Sequence, residues 1–247
     1  MESNKQLAPE DHQRLRENLE GIRQRIQAAC ERSGRSQESV TLVAVTKYGG
    51  PRLCQSLAQL GALDLGENRV PHLNQMASGV DPALAPRWHM IGHLQRNKVR
   101  KIKPQLAMLH SLDSEELARE LDKRLDRPLD VLVQVNVAGE DQKSGVSPER
   151  LGDFLDVLDK FEKIVPRGLM AMAMFGDKEK ARGTFRDLAG LLETQRGRGR
   201  DKLIELSMGM SQDFEEAVEE GSTLIRVGRV LYERLEDIDN DQSSIMN

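Results

Sequence analysis

Eight short apolar runs, each but the last followed by a clear helical segment, limit what this chain can fold into more than any other feature of it. The runs fall at 41–46, 63–67, 88–92, 106–112, 129–137, 164–172, 203–206 and 222–227. Between them, Leu53, Leu57 and Leu60 mark a helix closed by Gly61, Met76 sits on another, and 97–102 is basic and helical. Further helices are expected at 114–125, 148–160, 178–196 and 211–219, and the region after Val230 can supply a last one. Strand and helix alternating eight times predicts an α/β protein with a parallel sheet, and a (β/α)8 TIM barrel accounts for the count and the length. A doubly wound open sheet uses the same local pattern, but no Gly-x-Gly-x-x-Gly follows the first run.

An additional helix precedes the alternation. Leu15, Leu19, Ile22, Ile26 and Ala29 recur at three- and four-residue spacing between Pro9 and Ser33, giving one apolar face. It is expected to lie outside the barrel, across its bottom face or against the outer helices. The barrel is assigned to residues 9–235 as one domain, with 1–8 and the Asp/Asn/Ser-rich 236–247 as disordered tails.

Composition narrows the function classes. A formal net charge of -4 over 247 residues gives no overall cationic field for nucleic acid. The basic runs at 96–101 and 196–200 lack interleaved aromatics, so a partner-binding barrel with a vestigial site is the weaker reading. The polar start of the chain has no apolar h-region and no run has membrane-spanning length, which predicts a cytoplasmic protein. Cys30 and Cys54 have no metal-type spacing and read as buried apolar residues.

In a barrel, residues just beyond the C-terminal ends of the strands converge on one mouth. That brings Lys47, Asn68, His93, Asn136, Met172, Ser207 and Arg226 toward a shared pocket. Lys47 follows the buried run Leu42-Val43-Ala44-Val45, where an amine is solvated, paired or chemically used. Each of the others has an ordinary structural reading too, as a cap, a turn residue or a strand end. The run Ser207-Met208-Gly209-Met210-Ser211 sets a Gly and two hydroxyls between the seventh strand and its helix, with Ser211 read as the first or cap residue. Loops after strands seven and eight of such barrels often hold phosphate. A lysine on the first strand beside a phosphate cradle is the arrangement that holds pyridoxal 5'-phosphate. Arg226 then falls beside the pyridine nitrogen, where a group that cannot give up its proton makes the cofactor a poor electron sink.

Read in order, Ala44-Val45-Thr46-Lys47, Gly66-Glu67-Asn68, the run from Trp88 to Lys98, Lys143-Ser144-Gly145-Val146, Arg167-Gly168-Leu169-Met170, Leu206 to Ser211 and Gly221 to Gly228 resemble one family. It is that of the pyridoxal phosphate homeostasis proteins, single-domain relatives of the alanine racemase barrel. The resemblance covers residues 14–231. It implies a Schiff base on Lys47, phosphate binding by Ser211, a matching Arg226-x-Gly228 motif, and pocket neighbours Asn68, His93, Met172, Ser207 and Thr223. It also implies a protein that buffers or carries the cofactor in vitamin B6 homeostasis without substantial catalysis, in transient contact with apo-enzymes that use it. The helical outer shell, with no large apolar patch marked in it, suits a monomer. Gly49 stands where some bacterial members carry a further lysine, and Tyr232-Glu233 replaces their Phe-Gly. Lys143 matches a family lysine, and also reads as a solvated loop residue. The alternative is a racemase-type enzyme. That chemistry needs a second acid/base, which in alanine racemase is a tyrosine from a separate C-terminal domain; here the tyrosines are Tyr48 and Tyr232, and Tyr48 is expected to turn away from Lys47.

Overall fold

In the computed structural model, which describes residues 7–102, 106–137, 139, 144–173 and 176–236, the eight runs close into a barrel. The strands are β1 (Thr41–Val45), β2 (Asp64–Glu67), β3 (Arg87–Met90), β4 (Leu106–Leu112), β5 (Leu129–Gln134), β6 (Ile164–Met170), β7 (Glu205–Ser207) and β8 (Leu224–Val227). All neighbours pair in parallel, and β1 closes against β8 in the register Thr41 to Leu224 through Ala44 to Val227. The helices are α1 (Pro9–Arg32), α2 (Pro51–Gln59), α3 (Val70–Gly79), α4 (Glu115–Arg124), α5 (Leu151–Leu158), α6 (Lys178–Arg196) and α7 (Phe214–Glu219). The expected order holds. The expected helix at 97–102 is a 3₁₀ segment, Arg96–Lys101, and the chain after β8 likewise forms a 3₁₀ turn, Arg229–Tyr232.

Period-two alternation sorts each strand between two cores. Ala44, Leu65, Trp88, Met90, Leu109, Val131, Val133, Ile225 and Val227 face the helices, whereas Val43, Leu132, Met170 and Leu224 pack together inside the barrel with Ile91 and Met108. On β8 the step from Leu224 to Arg226 therefore keeps the arginine side chain interior.

α1 lies against the outer helices, the second of its two expected positions. Its apolar stripe Leu15, Leu19, Ile22, Ile26 and Ala29 is buried, and polar groups fix its angle. Arg25 and Arg32 reach Glu215 and Glu219 of α7 at 2.6 Å each, and Asn18 Nδ2 donates to the carbonyls of Leu231 and Glu233. Strand and helix limits shift by one to three residues from expectation. β5 stops at Gln134 rather than 137 because the chain then bridges Val135 to Val146, and α7 starts at Phe214 because Asp213, not Ser211, stands at its head. Both cysteines are buried and free. Of the expected tails at 1–8 and 236–247, residues 1–6 and 237–247 lie outside the described residues, as does Lys143, while Leu7 is buried in the core and the Glu236 amide donates to Asp11 Oδ1 at 3.1 Å.

Candidate functional site

Lys47 leaves β1 at a turn that the neighbouring strand makes rigid. The Thr46 amide donates to Gly66 O at 3.0 Å, the Thr46 hydroxyl donates to the buried Glu67 carboxylate, and the Gly49 amide closes back on Thr46 O at 3.0 Å. Glu67 also meets His72 Nδ1 of α3 at 2.7 Å, and that bond raises the His72 pKa above the ordinary imidazole range. The turn lifts Lys47 out of the sheet, half-buried, into a cavity of about 340 Å³. Its Nζ lies 4.7 Å from the centre of the Tyr48 ring. Tyr48 is thus not turned away as expected: its ring sits over the amine, held edge-on by Tyr232 at 6.3 Å.

The opposite wall comes from the turns after β7 and β8, and these are tied to each other. The Arg226 amide donates to Gly209 O at 3.0 Å, and the Gly228 amide to Ser211 Oγ at 3.3 Å. Gly209 has φ +90°, and a Cβ there would sit 2.5 Å from Ala217 Cβ, so only glycine makes this bend. Asp213 Oδ1 caps the turn through the Met210 amide at 2.6 Å; burial raises its carboxyl pKa and that bond opposes the rise. The amides of Ser211, Gln212 and Arg229, all residues of the cavity wall, donate to no acceptor among the described residues. Gly92 completes the wall at β3, where a Cβ would collide with Asn68 O at 2.4 Å.

Lys47, Asn68, Met172, Ser211, Arg226 and Gly228 all line this cavity. Four expected members do not. His93 lies beyond Gly92 on the outward side of the β3 exit, exposed, with Nδ1 3.5 Å from Asp113; Ile91 takes the wall position instead. Ser207 is fully buried beneath the cavity, accepting a hydrogen bond from Arg226 Nη1. Thr223 precedes β8 and so sits at the other end of the barrel, where its hydroxyl accepts from the Leu206 amide and donates to Glu205. Asn136 binds Val146 O through its amide, away from the cavity. Tyr48, Gln212 and Arg229 belong to the wall without having been foreseen. Their signal was adjacency in sequence to Lys47, Ser211 and Gly228.

Arg226 dominates the electrostatics of the floor. Burial lowers its pKa to about 10, Asp213 counters part of that, and at neutral pH it remains a cation. Its Nη2 donates to Ala171 O at 3.0 Å. A half-buried amine, a fixed guanidinium, a hydroxyl and amides without acceptors make a donor set for one compact anion that also carries an electrophile. The volume falls within the range of about 300–1,000 Å³ usual for small-ligand pockets.

Residues 11–235 match the family described as alanine racemase, N-terminal domain. The chain is 36% identical over 220 residues to a pyridoxal phosphate homeostasis protein of Aquifex aeolicus, covering 87% of this chain and 96% of the relative. The chain belongs to the pyridoxal phosphate homeostasis proteins. Among solved structures, a protein of unknown function from Bifidobacterium adolescentis matches with a TM-score of 0.86 at 29% identity, covering 91% of this chain and 97% of that one. The family member PipY of Synechococcus elongatus, solved with pyridoxal phosphate bound, matches with a TM-score of 0.75 at 31% identity over 88% of this chain and 99% of that one. Among the described residues no helix is long and apolar enough to cross a membrane, and no cluster of three or more metal-binding side chains occurs.

Proposed function

We propose that this chain binds pyridoxal 5'-phosphate reversibly at Lys47 and buffers or carries it, handing it on to apo-enzymes rather than using it for sustained turnover. Bound there, the cofactor supplies an aldehyde that condenses reversibly with an amine, and a phosphate that requires N–H and O–H donors. Lys47 presents the amine from a turn anchored to β2, so the backbone that carries it has little freedom left to lose on binding. Ser211 and the amides of Ser211, Gln212 and Arg229 hold the phosphate, and Asn68 and Met172 border the space between the two ends. Arg226 keeps its proton and can only donate, so it stabilises an unprotonated ring nitrogen and withholds the electron sink that amino-acid chemistry needs.

The observation that carries this reading is the pairing of Lys47 on β1 with the cross-tied turns after β7 and β8 in one cavity. A racemase-type activity would need a second acid/base. Tyr232 is buried with its hydroxyl donated to Val45 O, and burial raises its pKa well above the ordinary phenol range; Tyr48 lies against Lys47 itself. Titration of the purified protein with pyridoxal phosphate tests binding: an absorbance band near ~420 nm should grow to one equivalent, and borohydride should fix the label on Lys47. Saturation without modification of Lys47 would overturn the assignment. Sustained α-proton exchange of L-alanine, lost in Lys47→Ala, would overturn the carrier reading.

A further inference from the structure

A polar column runs through the barrel interior below the cavity. Asp64 on β2, His89 on β3, His110 on β4 and Ser207 on β7 are buried and joined end to end. His89 Nε2 lies 2.9 Å from Asp64 Oδ1, His89 Nδ1 lies 2.9 Å from His110 Nε2, and His110 Nδ1 lies 2.8 Å from Ser207 Oγ. At the top, Arg226 Nη1 donates to the same Ser207 oxygen; at the bottom, the exposed Arg87 donates from Nη2 to Asp64 Oδ2 at 2.5 Å. The column therefore links the N-terminal mouth of the barrel to the floor of the ligand cavity.

Donor counting gives it a direction. An arginine only donates, so Ser207 Oγ accepts from Arg226 and must send its own hydrogen elsewhere. Among the described residues the acceptor within reach is His110 Nδ1. Burial, with His89 and Arg226 close by, holds His110 well below the ordinary imidazole range, so it is neutral and carries one hydrogen, on Nε2. That hydrogen goes to His89 Nδ1, which leaves the His89 hydrogen on Nε2, pointing at Asp64. Burial raises the Asp64 pKa, but bonds from His89 and Arg87 outweigh it and hold the carboxyl below its usual range, as an acceptor should be. The opposite direction would leave the Ser207 hydrogen unpaired in the interior and would need two hydrogens on His89 to keep the bond to Asp64.

We propose that Asp64, His89, His110 and Ser207 are positioning residues of the ligand site: a one-way hydrogen-bond relay, its direction set by Asp64, that holds Arg226 in place from the far end of the barrel. The effect on binding rests on Arg226 being a cofactor contact; the direction of the relay does not.

Asp64→Asn tests it, because Arg87 dictates how the new amide sits. Arg87 lies against this position and can only donate, so the amide oxygen turns to it and the NH₂ faces His89 Nε2. His89 must then accept there, its hydrogen moves to Nδ1, the His110 hydrogen also moves to Nδ1, and Ser207 meets two donors at once. Adding Arg87→Ala frees the amide oxygen to face His89 and restores the first direction. Long-range ¹H–¹⁵N NMR of the full chain without ligand, which contains five histidines, reads the tautomer; absorbance titration with pyridoxal phosphate reads affinity. We expect the His110 hydrogen on Nε2 in the native protein and on Nδ1 in Asp64→Asn. Affinity should fall about tenfold, the low end for loss of a partner one layer behind a ligand contact, and the double variant should recover both. A native His110 protonated on Nδ1, an unchanged tautomer in Asp64→Asn, or a double variant no better than the single overturns the relay; mere packing damage would make the double variant worse. Should Asp64→Asn not fold, the native tautomer still decides, and a native protein that takes up no pyridoxal phosphate would sink the proposed function while leaving the tautomer test intact.

Discussion

Two of the cavities at the C-terminal ends of the strands contrast in chemistry. The one between β7, β8, β1 and β2 holds about 340 Å³ and is walled by Lys47, Arg226, Arg229, a hydroxyl, backbone amides and mostly apolar side chains. The one beside β4 and β5 is larger, about 520 Å³, and sets Asp113, Glu115, Glu116 and Asp153 against a single arginine, Arg150. Volume would select the second and chemistry selects the first. An anionic ligand loses its hydration on entry, and the cationic donors of the first cavity replace it, whereas in the second four carboxylates outweigh Arg150.

The comparison can be broken in four ways. Lys47→Ala should weaken pyridoxal phosphate binding on the order of a hundredfold, or about 2.8 kcal/mol, measured by absorbance titration; retention of tight binding would detach the lysine from the site. Gly209→Ala forces a side chain into a left-handed turn and against Ala217, and should cost about 2 kcal/mol of unfolding free energy, measured in urea, with weaker binding beside it. Ser211→Ala removes one donor and one acceptor and should lower affinity about fivefold, or about 1 kcal/mol. Glu116→Ala, in the acidic cavity, should change affinity by less than about twofold, since its charge is solvated and screened. A strong gain there would mean that the two cavities act as one.

A pair of histidines sharpens the same contrast. His72 is half-buried against the fully buried Glu67, whereas His93 is exposed and 3.5 Å from Asp113. Because the folded pKa of His72 lies above its unfolded value near 6.5, the bond stabilises fully below that pH and its contribution is lost as pH rises through the folded pKa. His72→Gln should therefore be destabilised at pH 5.5 and approach the native protein at pH 8.5. His93→Gln should differ from the native protein by less than about 0.5 kcal/mol at either pH.

Much of this was legible in the chain. Helices cover the strands outside and side chains fill the barrel inside, so most of the strands read as apolar runs and eight could be counted without a structure. Lys47, Ser211, Arg226 and Gly228 were readable because the loops of a barrel converge. His93 was not, since one residue past Gly92 decides which side of the rim a chain follows. Thr223 came from the resemblance alone; at the N-terminal end of β8 it lies at the bottom of the barrel. The polar column was invisible because Asp64, His89, His110 and Ser207 are far apart in sequence and lie on four different strands. Their shared clue was inward parity within their strands.

The pairing of β1 with β8 has a consequence for how the site comes into being. It joins the first strand to the last, the kind of contact whose loop-closure entropy must be met before any return is felt. Lys47 stands on one lip of that seam, and Ser211, Arg226 and Gly228 on the other. Until the barrel shuts there is no pocket, only a lysine and a distant loop. A ligand gripped across the lips acts as a clasp, and at a hundred times its dissociation constant would add about 2.7 kcal/mol to the closed state. The quantity of free cofactor would then register directly in how long the barrel stays shut.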